Sequence, residues 1–193
     1  GVTTGTINAG PKISTIEHIN SISGNTPSSD GVYLWNQLDG QKASSTGNIY
    51  GIFDLSGGNW ERTAGYVANG NSNLKAYGAS LAYNKDTLKT TSTKYATVYP
   101  HNEETSGDID TESKNNYGIN TKIFGDAIRE TSTSGTSKSG WNNDYSYFSA
   151  IDAPFMVRGG SDGTASAAGL FAFNRTGGYS YYHIGFRPVV VCL

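Results

Sequence analysis

Apolar residues in this chain occur in short runs that are separated by long polar stretches. Residues 12–22 place isoleucines three positions apart, which predicts a short amphipathic helix that starts near Ser14 or Thr15. Residues 31–38 (GVYLWNQL) combine β-branched and aromatic side chains and are followed by turn residues. They predict a strand or another core-facing segment.

Residues 70–140 form a long polar stretch with only scattered apolar side chains. A structureless loop of this length is uncommon in a compact domain, so we expect the stretch to contain short elements of its own. Residues 117–130 (YGINTKIFGDAIRE) are its predicted helix. The Thr, Ser and Gly run at 131–140 predicts an exposed, mobile loop.

The last forty residues alternate apolar and small side chains, as at Leu170, Phe171 and Phe173, and end in an apolar predicted strand, Pro188–Val191. This pattern favours antiparallel strands joined by Gly-rich turns. The sequence shows no long helical pattern and no fixed-period repeat. It therefore predicts one α+β domain, residues 1–193, with short strands, few helices and much irregular structure.

Composition separates a folded chain from a disordered one. Only 36% of the residues are hydrophobic and 25 are glycines, which favours turns and irregular loops. The chain also has 13 Tyr, 7 Phe and 3 Trp, whereas disordered chains are poor in aromatic residues. We therefore expect a loop-rich fold with an aromatic core.

Charge and cysteine content exclude several classes of partner and site. The net charge is −2 and no run of Lys or Arg occurs, so neither nucleic acid nor an anionic membrane surface is an expected partner. No apolar stretch approaches the roughly 20 residues that span a bilayer, so membrane insertion is not expected. Cys192 is the single cysteine, which excludes an intrachain disulfide and a multi-thiolate metal site. The chain starts at Gly1 without a signal-peptide pattern, so an upstream anchor or targeting segment is expected to be missing.

Three segments carry a resemblance to a known family. Residues 47–61 (GNIYGIFDLSGGNWE), 158–161 (RGGS) and 185–188 (GFRP) occur in the order and at the spacing of motifs in the formylglycine-generating-enzyme and sulfatase-modifying-factor family. The resemblance implies that family's type of C-type-lectin-like core. Residues 45–58 and 125–160 are similar to bacterial and phage proteins of this fold, some of which are variable proteins of diversity-generating retroelements. This second resemblance implies a cell-surface or phage-virion location.

Two arginines of these motifs lie among apolar residues, where a guanidinium needs carboxylate or carbonyl partners. They are Arg158 and Arg187, and the candidate partners are Glu61, Asp54 and Asp126. We expect all five residues to hold the fold rather than to perform chemistry.

The chain lacks the catalytic groups of the family that it resembles. Formylglycine-generating enzymes use a pair of cysteines, and here Cys192 lies alone beyond the GFRP motif. The three histidines, His18, His101 and His183, show no metal-ligand spacing. We therefore predict no catalytic residue and no catalytic metal. A metal-dependent oxidase or sulfoxide synthase of the same fold, or a structural pilus or phage-tail module, remains the alternative.

A calcium site is suggested by residues 141–144 (WNND), which resemble the WND motif of calcium-dependent lectins. The partner EPN or QPD motif and the lectin disulfides are absent from the sequence. A structural calcium ion at 59–61 is implied by the family resemblance, but the sequence GGNWE shifts the asparagine that would bind it. The prediction is no cofactor, with this structural calcium left open.

Residues 158–187 predict a variable binding surface. A frame of RGG, AG-F-F and GFR is interrupted by residues of mixed chemistry, all reachable from asparagine codons by changing adenines, as in retroelement-diversified proteins. The aromatic run at 179–183 is typical of a binding surface, because tyrosine offers rigid contact area with a polar tip. The expected ligand is a protein or another cell-surface molecule, and an ordinary strand-loop-strand is the alternative. The predicted contact residues are Ser161, Gly163, Thr164, Ala167, Arg175, Gly177, Tyr179, Tyr181, Tyr182, His183 and Ile184.

Overall fold

The computed structural model describes residues 12–13, 32–33, 48–50, 59–102, 107–120 and 126–186. These ranges form a mixed α+β structure, which confirms the predicted class. The strands in chain order are β1 (Lys12–Ile13), β2 (Val32–Tyr33), β3 (Trp60–Val67), β4 (Tyr83–Asn84), β5 (Thr87–Leu88), β6 (Thr97–Tyr99), β7 (Phe155–Arg158), β8 (Phe173–Thr176) and β9 (Ile184–Gly185). The helices are α1 (Ser72–Ala82) and α2 (Ile109–Ile119).

The main sheet is centred on β3. Its strand order is β6-β3-β7-β8, and β9 also pairs with β3. Strand β7 is antiparallel to both β3 and β8, whereas β6 and β9 run parallel to β3. The antiparallel prediction for the C-terminal residues is therefore confirmed for β7 and β8 but wrong for β9. A 3-10 helix, Asp162–Ala167, also lies between β7 and β8 where a tight turn was expected.

One face of this sheet packs against α2. Because side chains alternate along a strand, Met156 and Phe173 point to the same side, where Phe148 and Tyr117 cover them. The Phe148 ring lies edge-on, with its centroid 5.0 Å from that of Tyr99 and 6.0 Å from that of Tyr117. This is the aromatic core expected from the composition.

The opposite face packs against α1 at one end only. Leu74 of α1 is fully buried against Tyr66 and Phe155. Gly78 permits the close approach, because a Cβ there would lie 2.5 Å from the Phe155 ring. The helix axis is interrupted at this glycine, which has non-helical angles. At the other end of the same face, Trp60 and Val157 are packed by loop residues rather than by α1.

The helix predicted at 117–130 lies in the wrong place, because α2 spans Ile109–Ile119. Its start is fixed by Asp108, whose carboxylate accepts hydrogen bonds from the Asp110 N–H and the Thr111 hydroxyl. Its end is fixed by Asn120, whose backbone N–H donates to the Tyr117 carbonyl. Further along, Ala127 has a φ of 60°, which is incompatible with a continuous helix.

The loop predicted to be exposed at 131–140 is instead packed in part against α2, so the prediction is wrong for its buried residues but right for Thr133, Ser137 and Lys138, which are exposed. Ser132 and Gly135 are buried, and the Tyr117 hydroxyl donates to the Ser132 carbonyl. Gly135 has a φ of 64° and lies directly against the Tyr117 ring, where a Cβ would collide. Small polar residues here allow close packing rather than exposure.

The N-terminal predictions are only partly tested. Residues 12 and 13 form a strand that pairs in parallel with β2, and the helix expected to start near Ser14 or Thr15 lies outside the described residues. Strand β2 confirms the strand expected at 31–38 for Val32 and Tyr33. The rest of both segments lies outside the described residues, as does the predicted strand Pro188–Val191.

Candidate functional site

An open groove of about 590 Å³ lies over the end of the sheet that α1 leaves uncovered. Its size is in the range of small-molecule and side-chain binding sites. Its floor and walls come from the start of β3, from β7 and β8, from the turn at 151–152 and from residues 177–184, which we call the aromatic loop.

The floor of the groove is apolar and fixed. Trp60 is only 4% exposed and packs with Val157. The ring of Tyr145 lies 5.9 Å from that of Trp60 at a tilted angle, and Ile184 packs against the same cluster. Burial of these large side chains against several strands makes the floor a rigid platform.

The backbone of the aromatic loop is attached to the frame through main-chain atoms. The Trp60 N–H donates to the His183 carbonyl at 2.9 Å. The Arg62 guanidinium donates to the Tyr179 carbonyl at 2.7 Å. Gly178, with a φ of 94°, lies where a Cβ would be 2.6 Å from the Phe155 ring. The path of the loop is therefore set without help from its exposed side chains.

The side chains of the aromatic loop project outward. Tyr179, Tyr181 and Tyr182 are 48%, 44% and 54% exposed, so about half of each ring is available for contact. Tyr181 stacks on Tyr182 at 4.8 Å and lies 4.4 Å from the His183 ring. Mutual ring contacts hold the group in one arrangement while leaving its outer surface open.

Tyr77 extends this aromatic surface onto α1, although it is not one of the contact residues predicted from the sequence. It is 53% exposed, and its ring meets that of Tyr179 edge-on at 6.1 Å. Nothing in a polar helical segment indicates which strand ends lie beside it. The pairing of the strands brings Tyr77 beside Tyr179, so the sequence alone could not predict its part in this surface.

Arg175 was predicted as a variable contact residue, but the structure gives it a fastening role. Its Nη2 lies 2.5 Å from an Asp110 carboxylate oxygen, and its Nη1 donates to the Ser113 hydroxyl at 2.6 Å. The guanidinium also lies over the Tyr147 ring at 4.7 Å. Arg175 thus ties β8 to α2, although it also lines the groove.

Gly177 also departs from the expectation of a freely replaceable residue. It is buried, and a Cβ there would lie 2.7 Å from the Tyr179 ring and 3.3 Å from the Asn73 amide nitrogen. Any larger side chain would displace a neighbouring aromatic ring. Gly177 lines the groove as a spacer rather than as a contact group.

The four predicted contact residues in 161–167 do not line the groove. Ser161 is 5% and Ala167 1% exposed, so the expectation that these two are displayed was wrong. Gly163 is exposed, and Thr164 is half-buried and accepts a hydrogen bond from the Ser161 N–H at 2.9 Å. The structure brings six of the predicted residues to the groove, and Tyr182 stacks at its rim. The six are Arg175, Gly177, Tyr179, Tyr181, His183 and Ile184.

Arg158 has one of its predicted partners. Its Nη1 donates to the backbone carbonyl of Asp126 at 2.9 Å, and the Asp126 carboxylate accepts from the Tyr99 hydroxyl at 2.8 Å. Burial raises the pKa of Tyr99 and lowers that of Arg158. These contacts join β6, β7 and the 126–128 turn. The other predicted arginine, Arg187, and Asp54 lie outside the described residues.

The WNND turn holds the side chain of its aspartate away from solvent. Trp141–Asn143 is a short 3-10 helix, and the side chain of the following Asp144 is fully buried. One carboxylate oxygen of Asp144 accepts from the Phe171 N–H at 3.1 Å, and Gly169 leaves the space for it. Burial raises the pKa of Asp144 to about 6. The carboxylate faces the 169–171 loop, and its second oxygen is buried and accepts no hydrogen bond from the described residues.

Possible metal ligands are scattered over the described part of the chain, which contains no group of three or more His, Cys, Asp or Glu side chains. His101 lies beside Glu112 on α2, with 3.8 Å between Nδ1 and Oε1, whereas His183 belongs to the aromatic loop. His18 and Cys192 lie outside the described residues.

None of the described helices has both the length and the apolar character needed to cross a membrane. No protein-family model, no curated protein and no solved structure matches the chain.

Proposed function

We propose that this chain is a non-enzymatic, receptor-like or adhesin-like domain that binds a protein or another cell-surface ligand through its aromatic loop. The observation that carries the proposal is the contrast within that loop. Its main chain is bonded to β3, while Tyr179, Tyr181 and Tyr182 project outward about half exposed. Preorganised tyrosines give contact area at a low entropic cost.

The same contrast supports a diversified surface. The bonds that position the loop use the carbonyls of His183 and Tyr179, which are present whatever side chains these positions carry. Side chains at 179 and 181–183 can therefore change while the loop keeps its path. We propose retroelement diversification of this loop, on a C-type-lectin-like scaffold of the formylglycine-generating-enzyme type, displayed at a cell surface or on a phage virion.

A pair of display libraries tests the binding surface. One library varies Tyr179, Tyr181, Tyr182 and His183, and the control library varies the buried Ser161 and Ala167 in the same way. Both are selected for folding and for binding to an arbitrary target such as lysozyme. We expect folded binders from the loop library and mostly unfolded chains from the control library. If the loop library yields no binder, or loses folding as often as the control, the proposal fails.

The neighbouring DNA tests the diversification separately. We expect a reverse-transcriptase gene and a near-copy of codons 158–187 that differs at adenines. Differences should concentrate at the codons of the exposed tyrosines and be rare at those of Ala167 and Gly177, which are buried. The lack of such a copy would remove the retroelement while leaving the binding surface in place.

A further inference from the structure

We infer that the groove below the aromatic loop takes a cationic side chain, a lysine or an arginine of the partner, with Asp152 as its counter-ion. This inference rests on the proposed function, because it assigns a ligand chemistry to the same site. It follows from how the charges and rings around the groove are arranged.

The positive charge in the groove wall is already neutralised. The guanidinium of Arg175 is 2.5 Å from the Asp110 carboxylate, bonds Ser113 and covers the Tyr147 ring. Its charge is paired with Asp110 and two of its five N–H donors are used in these contacts, so it attracts an anionic ligand less than an unpaired guanidinium would. Arg62 is not among the residues that line the groove, and its guanidinium donates to the Tyr179 carbonyl.

The negative charge in the wall is available. Asp152 lines the groove and is exposed, and no ion pair joins it to any cation among the described residues. Its backbone is held firmly, since its carbonyl accepts from the Asn73 side chain at 2.8 Å. The preceding carbonyl, that of Ile151, accepts from the Asn69 side chain at the same distance. A carboxylate carried by a fixed main chain beside the groove favours a cation over an anion.

The rings beside this carboxylate suit the same ligand. Tyr179 and Tyr181 line the groove with about half of their surface exposed, and Tyr145 lies at its floor. An ammonium or guanidinium group is attracted to the faces of such rings, while the methylene stem of lysine or arginine packs on apolar surface. Aromatic walls with one uncompensated carboxylate make a cation the best complement.

The test uses blocked amino acids as probes and the full chain as receptor. N-acetyl-lysine methylamide and N-acetyl-arginine methylamide are titrated by NMR at low salt, beside N-acetyl-glutamate methylamide and a methyl glucoside. We expect the two cations to bind with a Kd on the order of millimolar and to shift the signals of the aromatic loop. The anion and the neutral sugar should bind more weakly.

Two matched variants assign the effect to Asp152. Asp152→Asn should weaken cation binding about two- to fivefold, as expected for an exposed ion pair. Asp86→Asn removes the same charge from a remote turn, where Asp86 pairs with Lys75 at 2.8 Å, and should leave binding unchanged. Tyr181→Leu keeps apolar bulk but removes the ring, and should weaken binding about twofold or more.

Each contrary outcome is informative. Equal Kd values for the Asp152 and Asp86 variants, or no cation binding at all, overturn the cation assignment. Preferred binding of the glucoside or of the anion overturns it as well, but leaves the proposed binding surface standing. The binding surface itself falls only if the loop library described above yields no binder, so the two failures are distinguishable.

Discussion

Residues 161–167 and the aromatic loop, 177–184, belong to one predicted variable region but meet different surroundings. The first segment is a 3-10 helix, and the Tyr145 N–H donates to the Ala167 carbonyl, so Ala167 lies beneath other chain. The second passes over a sheet end that α1 does not cover. The first segment consists of small and polar residues and the second is rich in aromatic side chains, yet the small residues include buried ones and the aromatic rings are half exposed.

A large residue at a buried position of the first segment should destabilise the protein, whereas the second segment already carries large residues at exposed positions. Ala167→Tyr forces a ring into a site that is 1% exposed, so we expect a loss of about 3 kcal/mol in unfolding free energy from overpacking. Urea denaturation measures it, and the control Gly163→Ser, at an exposed position, should change little. A neutral result for Ala167→Tyr would mean that this segment can also display side chains.

Near the first segment, the Asp144 carboxyl should make the stability of the protein depend on pH. Asp144 has a pKa raised by burial to about 6, against 3.8 for a free aspartate. Between these values the folded chain holds a proton that the unfolded chain has lost. Folding is therefore favoured below pH 4, and about 3 kcal/mol of stability is lost as the pH rises through 6.

Asp144→Asn should remove this dependence. The amide cannot ionise, and it keeps an oxygen that can accept from the Phe171 N–H. Urea midpoints at pH 4, 5, 6 and 7 compare the two chains, and the parent should weaken across this series more than the variant. Parallel curves would show that Asp144 has an ordinary pKa in the folded chain.

Arg175, another predicted contact residue, should matter for stability because it joins β8 to α2. Arg175→Ala should cost about 1 to 2 kcal/mol in unfolding free energy, because it breaks the contact with Asp110 and leaves the Ser113 hydroxyl without its donor. Arg175→Lys should recover only part, since an ammonium cannot make both bonds and cover the Tyr147 ring. A double-mutant cycle with Asp110→Ala should show coupling; additive effects would contradict the fastening role.

The smallest effect on stability is expected in the aromatic loop. Tyr181→Ala and Tyr182→Ala remove half-exposed rings whose contacts are mainly with each other, so each should cost about 0.5 kcal/mol. The double variant should nevertheless lose binding to any ligand selected with the parent loop. Thermal unfolding and binding are measured on the same samples, and a large fall in melting temperature would place these rings in the core.

Sequence reasoning succeeded where local chemistry decides the outcome. The α+β class, strand β2 and the outward tyrosines at 179–182 followed from patterning and side-chain type. Helix α2 was misplaced although its start signal, Asp108 with acidic residues in the next turn, was visible. The predicted ligand and the proposed fold family stay predictions.

The remaining errors share a non-local cause. Ala167 is buried where the distant Tyr145 contacts it, and Gly135 is buried because it meets a ring from α2. Tyr77 joins the aromatic surface only through the pairing of β3, β7 and β8. Contacts between residues far apart in the chain leave no periodicity in either segment, so single-sequence patterns cannot supply them.

The Phe155 ring packs closely against two residues that have no side chain, Gly78 of α1 and Gly178 of the aromatic loop. Its ring is therefore in contact with both α1 and the aromatic loop. A methyl group added to either glycine would push on the same ring and so reach the other partner. The outward tyrosines can thus be substituted only while two glycines stay unchanged, Gly178 beside them and Gly78 a hundred residues upstream.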